Sequence, residues 1–204
     1  MSTDRFEHIV SFIPQCELLA EIGCDHAYLT ECAFRHGKCR SAIVSDISAK
    51  CLDKARVTLR GRDNVTFLAG GGVVTDGREP DVLLICGMGG HTIRDILAPY
   101  DGSATLVLSP QSHAELVRGA LVAKGYAISA DECFKSEGKY YDVIRAERGE
   151  RELTEMQIKY GAYYTRRNAA LRERTERLLA DLSKGGEANA ARIREATEVL
   201  KWQE

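Results

Sequence analysis

The chain is poor in proline, with 4 residues in 204, and holds a single tryptophan. So little proline excludes collagen-like and polyproline architectures. Long hydrophobic runs are also missing: no stretch approaches the roughly 20 apolar residues that a bilayer-crossing helix needs. Met1-Ser2-Thr3-Asp4-Arg5, followed at once by Glu7 and His8, does not have the charged-then-apolar layout of a secretory leader, so a cytoplasmic protein without a membrane partner is expected. Charge of one sign is lacking too. The formal net charge is −2, with 44% hydrophobic and 28% charged residues, which excludes both a disordered chain and a uniformly basic nucleic-acid coat. The 7 cysteines are odd in number and scattered, with no C-x-x-C pair. That argues against a disulfide framework or a zinc site, so no metal is expected and the thiols read as reduced and mostly buried. There is no internal repeat and no low-complexity tract.

What is present is a strand–helix alternation. Phe6, Ile9, Val10 and Ile13 recur at helical spacing and stop at Pro14. Near-continuous apolar runs at 17–22, 41–46, 65–69, 81–86 and 104–108 read as strands. Helices are predicted between them at 28–36, from Ser48 to about 60, at 91–97 and at 112–124, with Ser48 able to cap the second. Two further strands, 126–132 and 140–147, are joined by Glu137-Gly138-Lys139, so they must pair antiparallel. A doubly wound parallel sheet with an antiparallel edge results. After Gly149 the texture changes: Leu171, Leu178 and Leu182, then Ile193, Ala196 and Leu200, flank a Ser183-Lys184-Gly185-Gly186 turn. Two antiparallel helices are expected, and the chain divides into 1–150 and a helical hairpin at 151–204.

In such a sheet, ligands bind beyond the carboxyl ends of the strands, where strand order reverses. The first loop there runs Glu21-Ile22-Gly23-Cys24-Asp25-His26-Ala27-Tyr28-Leu29. It is not the G-x-G-x-x-G of dinucleotide enzymes, which disfavours a nicotinamide oxidoreductase. An added carboxylate at Asp25 suits a pyrophosphate poorly and a cationic nucleoside such as S-adenosylmethionine better. Asp46, ending the second strand, can accept two ribose hydroxyls or cap the following helix. Gly87-Met88-Gly89-Gly90 after a buried strand marks a close backbone approach.

Taken in order, Gly23-Cys24-Asp25-His26-Ala27-Tyr28-Leu29, Gly87-Met88-Gly89-Gly90, Ser109-Pro110-Gln111 and Gly138-Lys139-Tyr140-Tyr141-Asp142 resemble the hallmarks of the bacterial TrmK family. Those proteins are S-adenosylmethionine-dependent methyltransferases acting on N1 of adenine 22 in tRNA. The resemblance covers most of the chain and implies an α/β class I Rossmann-like methyltransferase sheet, strand order 3-2-1-4-5-7-6, with a C-terminal α-helical hairpin. Carried over by position, Glu21, Gly23, Cys24, Asp25, Asp46, Ile47, Gly70 and Gly71 belong to the cofactor site, and Gly87 and Met88 border the methyl-transfer site. Three positions depart from the family. Glu21 stands where Asp is usual, and Thr30 where proline is usual. Gly71 stands where an aspartate would bind the cofactor's adenine amino group; Asp76 is a candidate substitute.

Methylation of N1 is an in-line displacement by an in-plane lone pair, and it leaves a cationic base. Positioning should dominate, with a carboxylate to meet the developing charge and a base for the exocyclic amine. Asp25 is the first candidate and His26 the second. Tyr28, Tyr140 or Tyr141 could stack on an extruded adenine. The basic run Lys159, Arg166, Arg167, Arg172, Arg174 and Arg177 is the candidate tRNA surface. Rival readings are a small-molecule methyltransferase and a non-catalytic RNA- or nucleoside-binding protein. A monomer is favoured.

Overall fold

The structure is a computed structural model and describes residues 3–204. In chain order it runs α1 (Thr3–Ser11), β1 (Cys16–Ile22), α2 (Tyr28–Arg35), β2 (Cys39–Asp46), α3 (Ala49–Thr58), β3 (Val65–Ala69) and β4 (Val82–Cys86). It continues with α4 (Gly90–Leu97), β5 (Thr105–Ser109), α5 (Ala114–Ala123), β6 (Tyr126–Ser136), β7 (Lys139–Arg148), α6 (Glu155–Tyr160), α7 (Ala169–Ser183) and α8 (Ala190–Trp202). A single 3₁₀ turn, Gly186–Asn189, joins the last two helices.

The seven strands form one sheet in the order β3-β2-β1-β4-β5-β7-β6, as expected. The first five are parallel, and β7 runs antiparallel to both of its neighbours. Strand side chains alternate between two faces. On one face Ala20, Ile22, Leu83 and Ile85 pack with Ile93 and Leu97 of α4 and Val117 and Leu121 of α5. On the other, Leu19, Val82 and Leu84 meet Ile9, Val10 and Ile13 at the amino end of the chain and Leu29, Cys32 and Ala33 of α2. Burial on both faces explains why β4 reads Val-Leu-Leu-Ile-Cys with no polar interruption. Strand order reverses between β1 and β4, so the crevice beyond their carboxyl ends is the topological switch point.

Helix 48–60 is shorter than expected, and Ser48 makes no side-chain cap. Asp46 does that work instead: its Oδ1 accepts the Ser48 N–H at 2.8 Å. The edge hairpin is longer than its apolar run, because β6 continues through Phe134-Lys135-Ser136 to pair with Lys139-Tyr140-Tyr141. Helix α6 was not anticipated, although its capping box is legible: the Thr154 hydroxyl accepts the Gln157 N–H while Gln157 Oε1 accepts the Thr154 N–H.

Helices α7 and α8 pack as the expected antiparallel pair, with Leu171 and Val199 buried against Cys133 and Tyr160. Asn168 caps α7 through the Leu171 N–H and reaches β6 by donating to the Cys133 carbonyl. Beneath lies a buried quartet. Arg118 of α5 forms ion pairs with Asp131 of β6 at 2.8 Å and Asp142 of β7 at 3.0 Å, and Arg174 of α7 reaches Asp142 at 2.7 Å. Among the described residues no helix is long and apolar enough to cross a membrane.

Candidate active site

Gly23 follows β1 with φ +71, a conformation natural to glycine. The Met88 side chain lies over Gly23, where its Cε takes the space that a methyl group on Gly23 would fill. The non-glycine residues Asp25 and Ala27 also take positive φ, 43° and 54°. Backbone held in this costly region persists where neighbouring contacts enforce it, commonly at binding sites. The contacts here are visible: the Gly23 and Cys24 N–H groups donate to the Ser45 carbonyl, and the Asp25 N–H donates to Asp46 Oδ2 at 3.1 Å. Asp46 therefore staples the first loop to the end of β2 while its other oxygen turns the chain into α3.

A cleft of about 340 Å³ opens beside this turn. It is lined by Glu21, Gly23, Cys24, Asp25, His26 and Tyr28 from the first loop, Cys86, Gly87 and Met88 from the second, Gln111 after β5, and Arg5 and Phe6 from α1. Of the expected cofactor residues, Glu21, Gly23, Cys24, Asp25, Gly87 and Met88 share this cleft. Asp46, Ile47, Gly70 and Gly71 form a neighbouring patch outside its lining. There a Cβ on Gly71 would lie 3.7 Å from Ile47 Cδ1, and Ile47 is 82% exposed. Asp76 is exposed on a turn and lines no part of the cleft.

Arg5, Phe6 and Gln111 were not foreseen. Gln111 carried a signal, since it closes the Ser109-Pro110-Gln111 motif; its N–H donates to the Met88 carbonyl at 2.8 Å. Arg5 and Phe6 lie far from any strand end in sequence, and only the packing of α1 reveals them. Arg5 sits 5.0 Å from the Phe6 ring centroid and 5.2 Å from that of Tyr141.

Glu21 is 5% exposed. Burial pushes its carboxyl up to about 7, opposed by two hydrogen bonds from Thr30 and assisted by the nearby charge of Asp46. Asp25 is different. A hydrogen bond from Lys54 at 3.0 Å lowers its pKa, outweighing modest burial, so it stays ionised and is a weak proton acceptor. Its carboxylate lies 3.9 Å from His26 Nε2. The His26 ring stacks on Tyr28 at 4.9 Å with 4° between planes, and Phe6 adds a third ring 5.8 Å from Tyr28. Tyr28 is thus part of an aromatic lip at the cleft. Tyr141 packs on Phe134, and Tyr140 stands near Arg177 and Lys135 at the hairpin, outside the cleft lining.

The basic run does not form one free surface. Arg174 is corrected from a surface cation to an internal one: it is committed to Asp142 through two hydrogen bonds. It shares that carboxylate with Arg118. Arg172 pairs with Glu176, Arg177 with Glu173, and Lys159 with Glu195. Arg166 and Arg167 are exposed and form no ion pair among the described residues; Arg166 lies 4.1 Å over the Tyr163 ring.

One cluster escaped the spacing argument against metals. Glu7, Cys32 and His36 bring ligand atoms within 4.8 Å of one another. The Arg35 guanidinium lies 3.6 Å from both Glu7 and Cys32 Sγ, a cation already in place.

Residues 2–144 match the family model described as a methyltransferase domain. The chain is 32% identical over 156 residues to a tRNA (adenine(22)-N(1))-methyltransferase of Bacillus subtilis (strain 168), a match covering 72% of this chain and 66% of that protein. It is 30% identical over 150 residues to a putative tRNA methyltransferase of Mycoplasma pneumoniae, covering 70% of each. The solved structure of M. capricolum TrmK with S-adenosyl-homocysteine superposes with a TM-score of 0.89 at 20% identity, covering 100% of both chains. With its glycine turn, its paired strand-end carboxylates and its switch-point cleft in place, the chain belongs to the methyltransferase-domain family and, within it, to the TrmK family.

Proposed function

We propose that this chain transfers a methyl group from S-adenosylmethionine to N1 of adenine 22 in tRNA. The observation that carries the reading is the switch-point cleft, where Glu21 and Asp25 stand beside a glycine turn stapled by Asp46. Acidic groups around close-packed backbone suit a nucleoside bearing positive charge, and Arg5 at the same cleft offers a partner for a carboxylate. Each Asp46 oxygen already accepts one backbone N–H and retains a second lone pair for a ribose hydroxyl. Ile47 and Gly71 form an apolar, side-chain-poor patch for a flat base, without the carboxylate that a family member would place there.

When bound, S-adenosylmethionine supplies an electrophilic methyl group. The chain's own residues do the rest. Met88 and Gly87, held by Gln111, shape the wall where the acceptor must approach. Tyr28, backed by His26, offers a ring face to an extruded adenine. Asp25 stays ionised beside the cleft and stabilises positive charge on the methylated base. His26, beside Asp25 and stacked on Tyr28, takes a proton from the exocyclic amine. Residues 1–150 serve as the catalytic unit, and 151–204 as the arm that meets tRNA. The reading has a monomer working in the cytoplasm, all cleft residues coming from one chain.

Labelled S-adenosylmethionine and unmodified tRNA test this directly. Label should appear at one adenine, position 22, as the N1-methyl product. Cofactor binding without transfer would convert the reading to a nucleoside-binding protein; transfer to a small molecule but not to tRNA would also end it.

A further inference from the structure

Two departures from the family meet in this structure. Glu21 Oε2 accepts both the N–H of Thr30, at 3.1 Å, and the Thr30 hydroxyl. Helix α2 opens at Ala27, which has no capping side chain. Glu21 therefore caps the helix from the neighbouring strand, using the third N–H of its first turn. Proline at position 30 could offer neither donor. The longer side chain and the threonine form a matched pair.

That arrangement leaves a buried carboxylate on the cleft wall with hydrogen-bond donors but no counter-ion. Among the described residues Glu21 forms no ion pair. The groups around it are few. Asp46 at the end of β2 adds negative charge. Cys24 and Cys86 line the same cleft as thiols that burial pushes up and keeps protonated. Asp25, His26 and Arg5 line the same cleft without bonding to it.

We infer that Glu21 is a proton-linked counter-charge: enclosed on the cleft wall without a counter-ion of its own, it gives up its proton to solvent when a ligand bearing a sulfonium or ammonium enters the cleft. The inference rests on the cofactor reading above. The positive ligand supplies the missing counter-ion, so the ionised form becomes the favoured one. Binding and proton loss are then a single event, and a neutral nucleoside gains nothing from Glu21. The residue selects for charge as well as for shape.

The experiment is calorimetric titration of the full chain with S-adenosylmethionine in buffers of different ionisation heat. At pH 7 the wild type should release about half a proton more per cofactor than Glu21→Gln, given a carboxyl titrating at about 7. Its affinity should rise about tenfold from pH 6 to pH 8 relative to the variant. Thr30→Val removes one donor to the ionised form and should move the midpoint upward. Carbon-13 NMR of glutamate-labelled wild type gives a reading that needs no variant: one side-chain carboxyl should titrate near neutrality in the free protein and at lower pH when bound. Equal proton release in wild type and both variants, or no such carboxyl, overturns the inference while leaving the cofactor reading intact. Absence of binding by the wild type overturns both.

Discussion

Two acidic centres lie buried against the same sheet, and they are treated in opposite ways. At the hairpin root, Asp142 is enclosed by protein, yet Arg174 and Arg118 outweigh the burial and hold its carboxyl below the usual range. At the carboxyl end of β1, Glu21 is equally enclosed and has only a threonine for company, so burial wins. The difference is the presence of arginine. A buried carboxylate with two guanidinium groups is a structural fastening. A buried carboxylate capping a helix beside an open cleft is a site waiting for a cation. Burial alone does not tell a functional acid from a structural one; the counter-ion does.

The largest test breaks the first centre. Arg118→Met leaves Asp131 buried with no charged partner, since Arg174 reaches only Asp142. Removing one member of a buried ion pair typically costs about 3–5 kcal/mol. Urea unfolding should show a loss of that order. A loss below about 1 kcal/mol would mean that the Arg118 ion pairs do not fasten α5 to the sheet.

The second test sharpens the contrast through pH. Glu21 has a folded pKa above its unfolded one, so the stability it contributes is full at pH 4 and is lost as pH rises through about 7. Between pH 5 and pH 8 the wild type without cofactor should therefore lose stability relative to Glu21→Gln, by up to about 3 kcal/mol. Asp142 has the opposite sign: its folded pKa is depressed, so its contribution is present above the ordinary carboxylate range and fades only in acid. Urea midpoints at the two pH values separate the centres. A parallel pH dependence in wild type and Glu21→Gln would place them in the same class after all.

The contrast also explains what the sequence could disclose. The strand–helix alternation, the glycine turn and the Gly87-Met88 loop were legible because each depends on local pattern, whereas strand order came with the family resemblance. The fit of Thr30 to Glu21 was not legible, though both residues stood out: nothing in spacing says that a helix will borrow its cap from the preceding strand. Arg5 and Phe6 were hidden for a related reason, since α1 reaches the cleft by packing across α2. Arg174 was misread because it sits in a basic run, and a run of charge cannot say which member turns inward. The partner that decides it, Asp142, is 32 residues away.

That misreading leads to the smallest expected effect. If the hairpin meets tRNA, its arginines should not contribute equally. Arg166 and Arg167 are exposed and form no ion pair among the described residues, so their charge meets phosphates without displacing a carboxylate. Arg172 and Arg177 must first give up Glu176 and Glu173, although exposed pairs contribute little. Reversing Arg166 and Arg167 should lower the salt slope of tRNA binding by about 2, one per lost phosphate contact, while cofactor affinity stays unchanged. Reversing Arg172 and Arg177 should change the slope less. Equal slopes in the two double variants would show that the hairpin presents a uniform basic face, and that the division of its arginines into fastening and free ones stops at Arg174.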